Sequence, residues 1–133
     1  MKTTTIKQST TIKASPKEVY DALMSSAKHS KFTGEKAIIG KKVGDAYSAY
    51  DGYIFGTNIE LVPGKKIVQT WVAMEDLWPA EHISKITFNL SAKGKNTTIN
   101  FLHENVPIAI AKNFVNGWKD YYWTPLKAFF TSK

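Results

Sequence analysis

The sequence predicts an α+β fold in which a curved antiparallel sheet wraps around a long C-terminal helix, in the order β-α-α-β(meander)-α. Three observations support this prediction. A Thr- and Ile-rich segment leads directly into a helix start, the middle of the chain consists of short β segments separated by turn residues, and the last segment is amphipathic and rich in rings. With 133 residues, 43% of them apolar, the chain is expected to form one domain over residues 1–133.

The N-terminal region is expected to form a strand and then two helices. Residues 3–12 have the composition of a strand. Ser15 and Glu18 are spaced as a capping box, in which each side chain accepts a hydrogen bond from the backbone N–H of the other, and Pro16 suits the first helical position. A short second helix is expected to end at Gly34. One face of the first helix should pack inward, and it holds Val19, Ala22, Leu23 and Ala27.

The middle of the chain is expected to form an antiparallel meander. Three dipeptides typical of tight turns separate its β segments, namely Asp51-Gly52, Pro63-Gly64 and Lys93-Gly94. If Lys93-Gly94 is a two-residue turn, one apolar face faces the final helix. It holds His82, Ser84, Ile86, Phe88, Leu90, Ile99, Phe101 and His103.

The two histidines of this face are expected to be diagonal neighbours near the mouth of a cavity. His82 and His103 are then either a polar anchor or proton-transfer pair for a ligand, or half-buried side chains bonded to backbone or water. Two histidines without a nearby third ligand make a poor zinc site, so no metal is expected.

The hairpin at Pro63-Gly64 is expected to turn its more apolar face inward. That face holds Tyr53, Phe55, Thr57, Ile59, Leu61, Val68, Thr70 and Val72. Trp71 should then lie outside, across from Gly56. A bulge between the two strands would reverse this orientation.

The final helix should begin near residue 107 or 108 and carry its rings on one face. At 100° per residue the inner face holds Ala111, Phe114, Trp118, Tyr121, Tyr122, Pro125, Leu126 and Phe129. Trp123 and Phe130 fall at the polar edge, and Pro125 should kink or end the helix. The rings form plain core, the wall of a ligand pocket or, as a further alternative, the apolar side of a membrane-surface helix.

Two sets of candidate residues follow. The ligand-cavity candidates are Phe55, His82, Phe101, His103, Phe114, Trp118 and Tyr122. The partner-surface candidates are Trp78 and Trp123, together with the lysines.

The composition disfavours several classes of function. The formal net charge is +7, but all 18 basic residues are lysines and they are scattered, so a solvated basic surface is favoured over nucleic-acid binding. The absence of Cys excludes disulfides and thiolate chemistry. No signal peptide, membrane span, cofactor-binding motif or classical catalytic motif is recognised, so the expectation is a cytoplasmic protein without a cofactor.

Four stretches together resemble a known family. They are Ser15-Pro16-Lys17-Glu18-Val19-Tyr20, Glu60-Leu61-Val62-Pro63-Gly64-Lys65-Lys66-Ile67-Val68 with Trp71 after it, Trp78-Pro79-Ala80-Glu81-His82, and Gly117-Trp118-Lys119-Asp120-Tyr121-Tyr122. In this order they are similar to the C-terminal domain of the activator of the heat-shock protein 90 ATPase, within the START-like helix-grip superfamily (SRPBCC, birch-pollen-allergen-like).

This resemblance implies the helix-grip fold and a non-enzymatic, co-chaperone-like or independent binding role, with a chaperone of the heat-shock protein 90 class as partner. The alternative is binding or transport of a small hydrophobic ligand between sheet and C-terminal helix. A third hypothesis is an aromatase- or cyclase-like enzyme that uses His82 or His103 as acid–base, because the superfamily includes such members.

Overall fold

A seven-stranded antiparallel sheet wraps around C-terminal helices in the computed structural model, which describes residues 1–131. The strands follow the order β1-β7-β6-β5-β4-β3-β2. The elements are β1 (Thr3–Ile12), α1 (Pro16–Met24), α2 (Ser26–Thr33), β2 (Ile38–Ile39), β3 (Ala46–Ala49), β4 (Ile54–Val62), β5 (Lys66–Ala73), β6 (Ser84–Lys93), β7 (Asn96–Pro107), α3 (Ile108–Trp118), a π-helical turn (Lys119–Trp123) and α4 (Thr124–Thr131). The predicted element order and the helix-grip architecture are confirmed.

The start of α1 has the predicted capping box. The Glu18 N–H donates to Ser15 Oγ at 3.2 Å, and the Ser15 N–H donates to Glu18 Oε1 at 3.1 Å. The prediction that Ala27 packs on the inner face of this helix was wrong, since Ala27 is exposed and belongs to α2. The extended backbone of Ser25 (φ −100°, ψ 123°) ends α1 and caps α2, so the helical phase does not continue.

The β6–β7 hairpin differs from the predicted register by two residues. Its turn residues are Gly94 and Lys95, because Lys93 pairs with Asn96. Gly94 has φ 62°, the left-handed conformation that this kind of tight turn requires. A shift of two residues leaves every side chain on its predicted face, since strand side chains alternate with a period of two. Phe101 consequently lies inside but pairs with Phe88.

The β4–β5 hairpin turns the opposite face inward from the one predicted. Trp71 is 2% exposed in the core, whereas Phe55 is 41% exposed on the outer face. A bulge in β4 separates the Asn58–Gln69 pair from the Glu60–Val68 pair.

Polar residues on the inner face of this hairpin satisfy one another. Gln69 Nε2 donates to Asn58 Oδ1 at 2.9 Å, and Asn58 Nδ2 donates to the carbonyls of Gly40 and Lys42 at 2.8 and 3.0 Å. A face that looked too polar to be internal is therefore buried without an unpaired group, and Trp71 supplies its apolar surface.

The C-terminal helix is interrupted by the π-helical turn rather than by a simple kink. The Thr124 N–H donates to the Lys119 carbonyl, five residues back. This wider turn places Trp123 in line with Trp118, and the two rings stack at 5.8 Å with 24° between their planes. Tyr121, predicted to lie on the inner face, is displaced outward and is 60% exposed.

Pro125 lies in the first turn of α4 and has no N–H to donate. The carbonyl four residues before it, that of Tyr121, accepts a hydrogen bond from the Tyr50 hydroxyl instead. The β3–β4 turn is thereby joined to the C-terminal helices. Among residues 1–131, no helix is long and apolar enough to cross a membrane.

Candidate functional site

A cleft of about 590 Å³ opens between the C-terminal helices and the end of the sheet at the β3–β4 turn. Four segments form most of it: the residues that follow α2, the β3–β4 turn, the start of the β5–β6 loop, and the side of α3 that continues into the π-helical turn. It is lined by Glu35, Tyr50, Tyr53, Ile54, Trp71, Glu75, Asn113, Phe114, Gly117, Trp118, Tyr121 and Tyr122. Its volume lies within the ~300–1,000 Å³ that is usual for small-molecule sites.

Three of the predicted cavity residues line this cleft, and four do not. Phe114, Trp118 and Tyr122 are brought together as expected, on successive turns of the C-terminal helix. Phe101 and His103 are buried beneath Trp118, and Phe101 contacts it with ring centroids 4.3 Å apart. The placement of Phe55 in the cavity was wrong, because the hairpin turns this side chain to the outer face.

His82 is separated from the cleft and from His103. It precedes β6, where its Nε2 lies 2.8 Å from the Asn105 carbonyl and its ring packs against Trp78. The predicted diagonal pair of histidines is therefore wrong, because each ring has other partners.

The hydrogen bonds of His103 fix its protonation. Trp118 Nε1 can only donate, and it donates to His103 Nδ1 at 3.1 Å. The proton of the neutral imidazole is then on Nε2, which donates to Ser84 Oγ at 2.9 Å, and the Ser84 hydroxyl donates to the Trp71 carbonyl at 2.7 Å. Burial lowers the pKa of His103 to about 3. This histidine is a neutral bridge between the sheet and α3.

His29 forms a second buried bridge, which the sequence analysis did not identify. Its Nδ1 donates to the Leu23 carbonyl at 3.0 Å, so its Nε2 accepts from the Tyr122 hydroxyl, also at 3.0 Å. Burial lowers the pKa of His29, and the backbone hydrogen bond to Leu23 opposes this effect. The bond to Tyr122 fixes one wall of the cleft against α2. A lone histidine in a polar helix gives no pattern from which this contact could be predicted.

Both tyrosines of the β3–β4 turn lie beside a carboxylate at the cleft. Burial raises the pKa of Tyr50 to about 12, with further contributions from Tyr121 and Glu35. Burial also raises the pKa of Tyr53 to about 12. The charge of Glu75, and the hydrogen bond that the Tyr53 hydroxyl donates to it, raise this pKa further. Each hydroxyl is therefore neutral at pH 7.

The two partner-surface candidates are buried, so the prediction that they are exposed was wrong. Trp78 is 8% exposed; its Nε1 donates to the His82 carbonyl at 2.7 Å and its ring packs against Trp71. Trp123 is 5% exposed, and its Nε1 donates to Gln8 Oε1 at 2.6 Å. The π-helical turn moves Trp123 from the polar edge into the core.

Little space remains deeper inside the fold. A second, enclosed cavity between α1, α2 and the sheet has a volume of about 10 Å³. The rings of Trp71, Phe88, Trp118 and Tyr122 fill most of the region between sheet and helix. Between the sheet and the C-terminal helices, the described residues therefore leave room for a ligand in the cleft rather than deeper in the core.

Comparison with known proteins decides the family. The family model for "Activator of Hsp90 ATPase homolog 1-like protein" matches residues 13–131. The chain belongs to this family. The four sequence stretches that resemble the Hsp90-activator family all lie within the matched residues.

Curated members of the Hsp90-activator family are similar to nearly the whole chain. The activator of 90 kDa heat shock protein ATPase homolog of Dictyostelium discoideum is 33% identical over 118 residues, which are 88% of this chain and 30% of that protein. The human activator of 90 kDa heat shock protein ATPase homolog 1 is 28% identical over 120 residues, 90% of this chain and 35% of that protein. The chain thus spans about a third of the length of these relatives.

Solved structures share the fold. An HSP90 activator from Plasmodium falciparum superimposes with a TM-score of 0.85 at 21% identity, over 93% of this chain and 94% of that one. The Aha1 dimer from Colwellia psychrerythraea superimposes with a TM-score of 0.79 at 21% identity, over 98% of both chains. At these identities the likeness shows the helix-grip architecture alone.

Proposed function

We propose that this chain is a non-enzymatic binding domain that acts in a co-chaperone-like manner on a cytoplasmic chaperone of the Hsp90 class. The observation that carries the proposal is the family match over residues 13–131. Relatives named as activators of the 90 kDa heat shock protein ATPase support it, as does the net charge of +7, which favours acidic partner surfaces.

A partner contact in this proposal uses exposed groups other than the two tryptophans that the sequence suggested. Trp78 and Trp123 are buried, whereas the outer face of β4 exposes Phe55 at 41% and Ile59 at 45%. The lysines of the chain supply attraction to an acidic surface, and that attraction is screened by salt.

The test is a titration of the cognate chaperone with this chain, in which binding and ATP hydrolysis are both measured at increasing salt. We expect binding that weakens as salt rises and an altered rate of hydrolysis by the chaperone. A basic protein of similar isoelectric point is the control for charge alone. Absence of binding at every salt concentration would remove the chaperone from the proposal.

The non-enzymatic assignment is supported by the state of His103. Both of its nitrogens are engaged by Trp118 and Ser84, and a pKa of about 3 keeps the imidazole neutral near pH 7, so it is not poised to act as a general acid or base. His82, the other candidate acid–base group, does not line the cleft. An aromatase- or cyclase-like mechanism built on either histidine is therefore not proposed.

A second function, binding of a small hydrophobic ligand, is favoured by the cleft. Seven of the twelve residues that line it are aromatic: Tyr50, Tyr53, Trp71, Phe114, Trp118, Tyr121 and Tyr122. Such a surface suits an apolar molecule.

Gly117 provides a test that leaves the core rings in place. A Cβ added to it meets only Tyr121 Cδ2, at 4.0 Å, so Gly117→Leu is expected to fill the cleft while improving the helix propensity. We expect this variant to weaken binding of hexanol at least about tenfold by calorimetry. Asn116→Leu, at an exposed neighbour that does not line the cleft, is the control. Equal binding by both variants would remove the cleft as the ligand site.

A further inference from the structure

The charge of the cleft is opposite in sign to that of the molecule. The chain has 18 lysines and a formal net charge of +7, yet none of the described lysines lines the cleft. The charged residues that line it are Glu35 and Glu75. A cleft chosen at random on this surface would be expected to include lysine, so the local excess of negative charge is a property of this site.

Backbone contacts place each carboxylate next to a ring of the cleft. Glu35 follows the C-terminal end of α2, and the Asp51 N–H donates to the carbonyl of the adjacent Lys36 at 2.8 Å, which brings this segment against the β3–β4 turn. Glu75 follows β5, where the Met74 N–H donates to the Tyr53 carbonyl at 2.8 Å.

Neither carboxylate forms an ion pair with the described part of the chain. Among residues 1–131, the ion pairs within 4.0 Å are Lys17–Asp21, Lys66–Glu60 and Lys85–Glu104, and neither Glu35 nor Glu75 takes part in one. Both are exposed at the rim, and the Tyr53 hydroxyl is a hydrogen-bond partner of Glu75.

Tyrosine rings lie next to both carboxylates, Tyr50 beside Glu35 and Tyr53 beside Glu75. Tyr50 and Tyr121 meet edge to face at 5.8 Å, and Tyr50 and Tyr122 meet at 5.9 Å, so several rings surround one space. The negative face of an aromatic ring attracts a cation, and weakly hydrated ammonium groups benefit most because they lose little solvation. Aromatic faces bordered by carboxylates are a combination that favours positive charge over neutral or negative ligands.

We propose that the cleft binds an organic cation, a molecule with an ammonium or quaternary ammonium group on an apolar body. The apolar part contacts Phe114, Trp118 and Trp71, while the cationic group lies among the tyrosines, next to Glu35 and Glu75. This inference rests on the second proposed function, ligand binding in the cleft, and specifies the chemical class of that ligand.

The experiment compares three probes that share one alkyl chain: hexyltrimethylammonium, hexanol and hexanoate. Affinities are measured by calorimetry at low salt. We expect hexyltrimethylammonium to bind about five- to tenfold more tightly than hexanol, and hexanoate to bind most weakly. The preference for the cation should decrease as salt is added.

Charge variants test the cause of this preference. In the double variant Glu35→Gln and Glu75→Gln, we expect the ratio of the affinity for hexyltrimethylammonium to the affinity for hexanol to fall close to one. The control is the double variant Asp76→Asn and Glu81→Gln, which removes the same charge from two exposed residues that do not line the cleft. It should retain the preference.

Each other outcome has a definite meaning. If all three probes bind equally, or hexanoate binds best, the cation assignment is overturned while ligand binding in the cleft stands. If no probe binds, both the ligand-binding function and this inference are overturned. A preference that persists in the Glu35 and Glu75 variant, or that disappears equally in the control, also overturns the proposal.

Discussion

His103 makes the stability of the protein depend on pH. A histidine whose pKa is about 3 when folded and about 6.5 when unfolded takes up a proton more readily in the unfolded state. Stability is therefore complete above the unfolded pKa and is lost as pH falls below it. His29, with a pKa also lowered by burial, acts in the same direction.

We expect protonation of His103 by itself to lower the free energy of unfolding by about 2 kcal/mol between pH 7.5 and pH 5. Each pH unit below the unfolded pKa costs about 1.4 kcal/mol. Urea unfolding at the two pH values measures the loss. His103→Gln lacks this titration, so its two free energies should differ by less than those of the parent chain. An equal loss in both proteins would show that His103 is not the cause.

Asn58 is a buried amide whose hydrogen bonds join three segments. It is 1% exposed and contacts Gly40, Lys42 and Gln69. Asn58→Ala is expected to cost about 2–3 kcal/mol, because two carbonyls and the Gln69 amide lose their partner. Denaturant unfolding measures this cost.

Asn89 is the matched control for Asn58. It lies on β6, is half-buried and makes one long contact of 3.4 Å to the Asn100 carbonyl. Asn89→Ala should change stability by no more than about 0.5 kcal/mol. Similar costs at the two positions would contradict the role assigned to the inner-face amides.

Side-chain positions were predictable where the local period decides them. Phe114 and Trp118 line the cleft on the predicted face because α3 keeps its helical period. Phe55 was predicted to lie inside and Trp71 outside, and the structure has the reverse, because Asn58 and Gln69 satisfy each other's hydrogen bonds on the inner face. A hydrogen-bond partner eleven residues away cannot be recognised from alternation alone.

The π-helical turn adjusts the angle of the C-terminal rings. In a regular helix Trp123 would lie about 140° from Trp118, whereas the wider turn brings the two rings into a stack. A π-helical turn corresponds to one residue inserted into an α-helix, so removing one exposed residue should restore the regular form with the rings still inside.

We expect deletion of Asp120, which is exposed, to be tolerated at a cost of about 1–2 kcal/mol, because Tyr122 and Trp123 then follow Trp118 at helical spacings of three and four. Deletion of Lys112, exposed in the regular part of α3, should prevent native packing, because it rotates the preceding part of α3 relative to every later ring. Near-UV circular dichroism of the tryptophans distinguishes the two. Equal disruption by both deletions would contradict the insertion interpretation.

Several helix ends and turns could be predicted from local sequence patterns, whereas the bulge in β4 and the π-helical turn could not. The capping box at Ser15 and the turns that contain Gly52, Gly64 and Gly94 are short-range patterns, and they were predicted, the last one displaced by one residue. The bulge in β4 and the π-helical turn add a residue to suit distant packing partners. The sequence around them does not differ from that of a regular strand or helix.

The aromatic network connects the sheet to α2, α3, the π-helical turn and α4. Trp71 contacts Trp78, His103, Phe114 and Trp118, and Trp118 contacts Phe88, Phe101, Tyr122 and Trp123. All four tryptophans therefore belong to one cluster. Tertiary structure around any of them depends on the sheet and on the C-terminal helices together.

We expect the chain to unfold as one cooperative unit for this reason. The midpoint of thermal unfolding followed by tryptophan fluorescence should coincide with the midpoint followed by far-UV circular dichroism. Separate midpoints would show that part of the sheet or of the helices unfolds independently, and that the chain is not one domain in this sense.

Pro125 shapes the entrance of the cleft from a distance. Because Pro125 lacks an N–H, the Tyr121 carbonyl has no helical donor four residues later and accepts from the Tyr50 hydroxyl, which joins two residues that line the cleft. Any other amino acid at position 125 would offer a competing backbone N–H to the same oxygen. One backbone donor would thereby act on a contact at the cleft and leave all seven of its rings chemically unchanged.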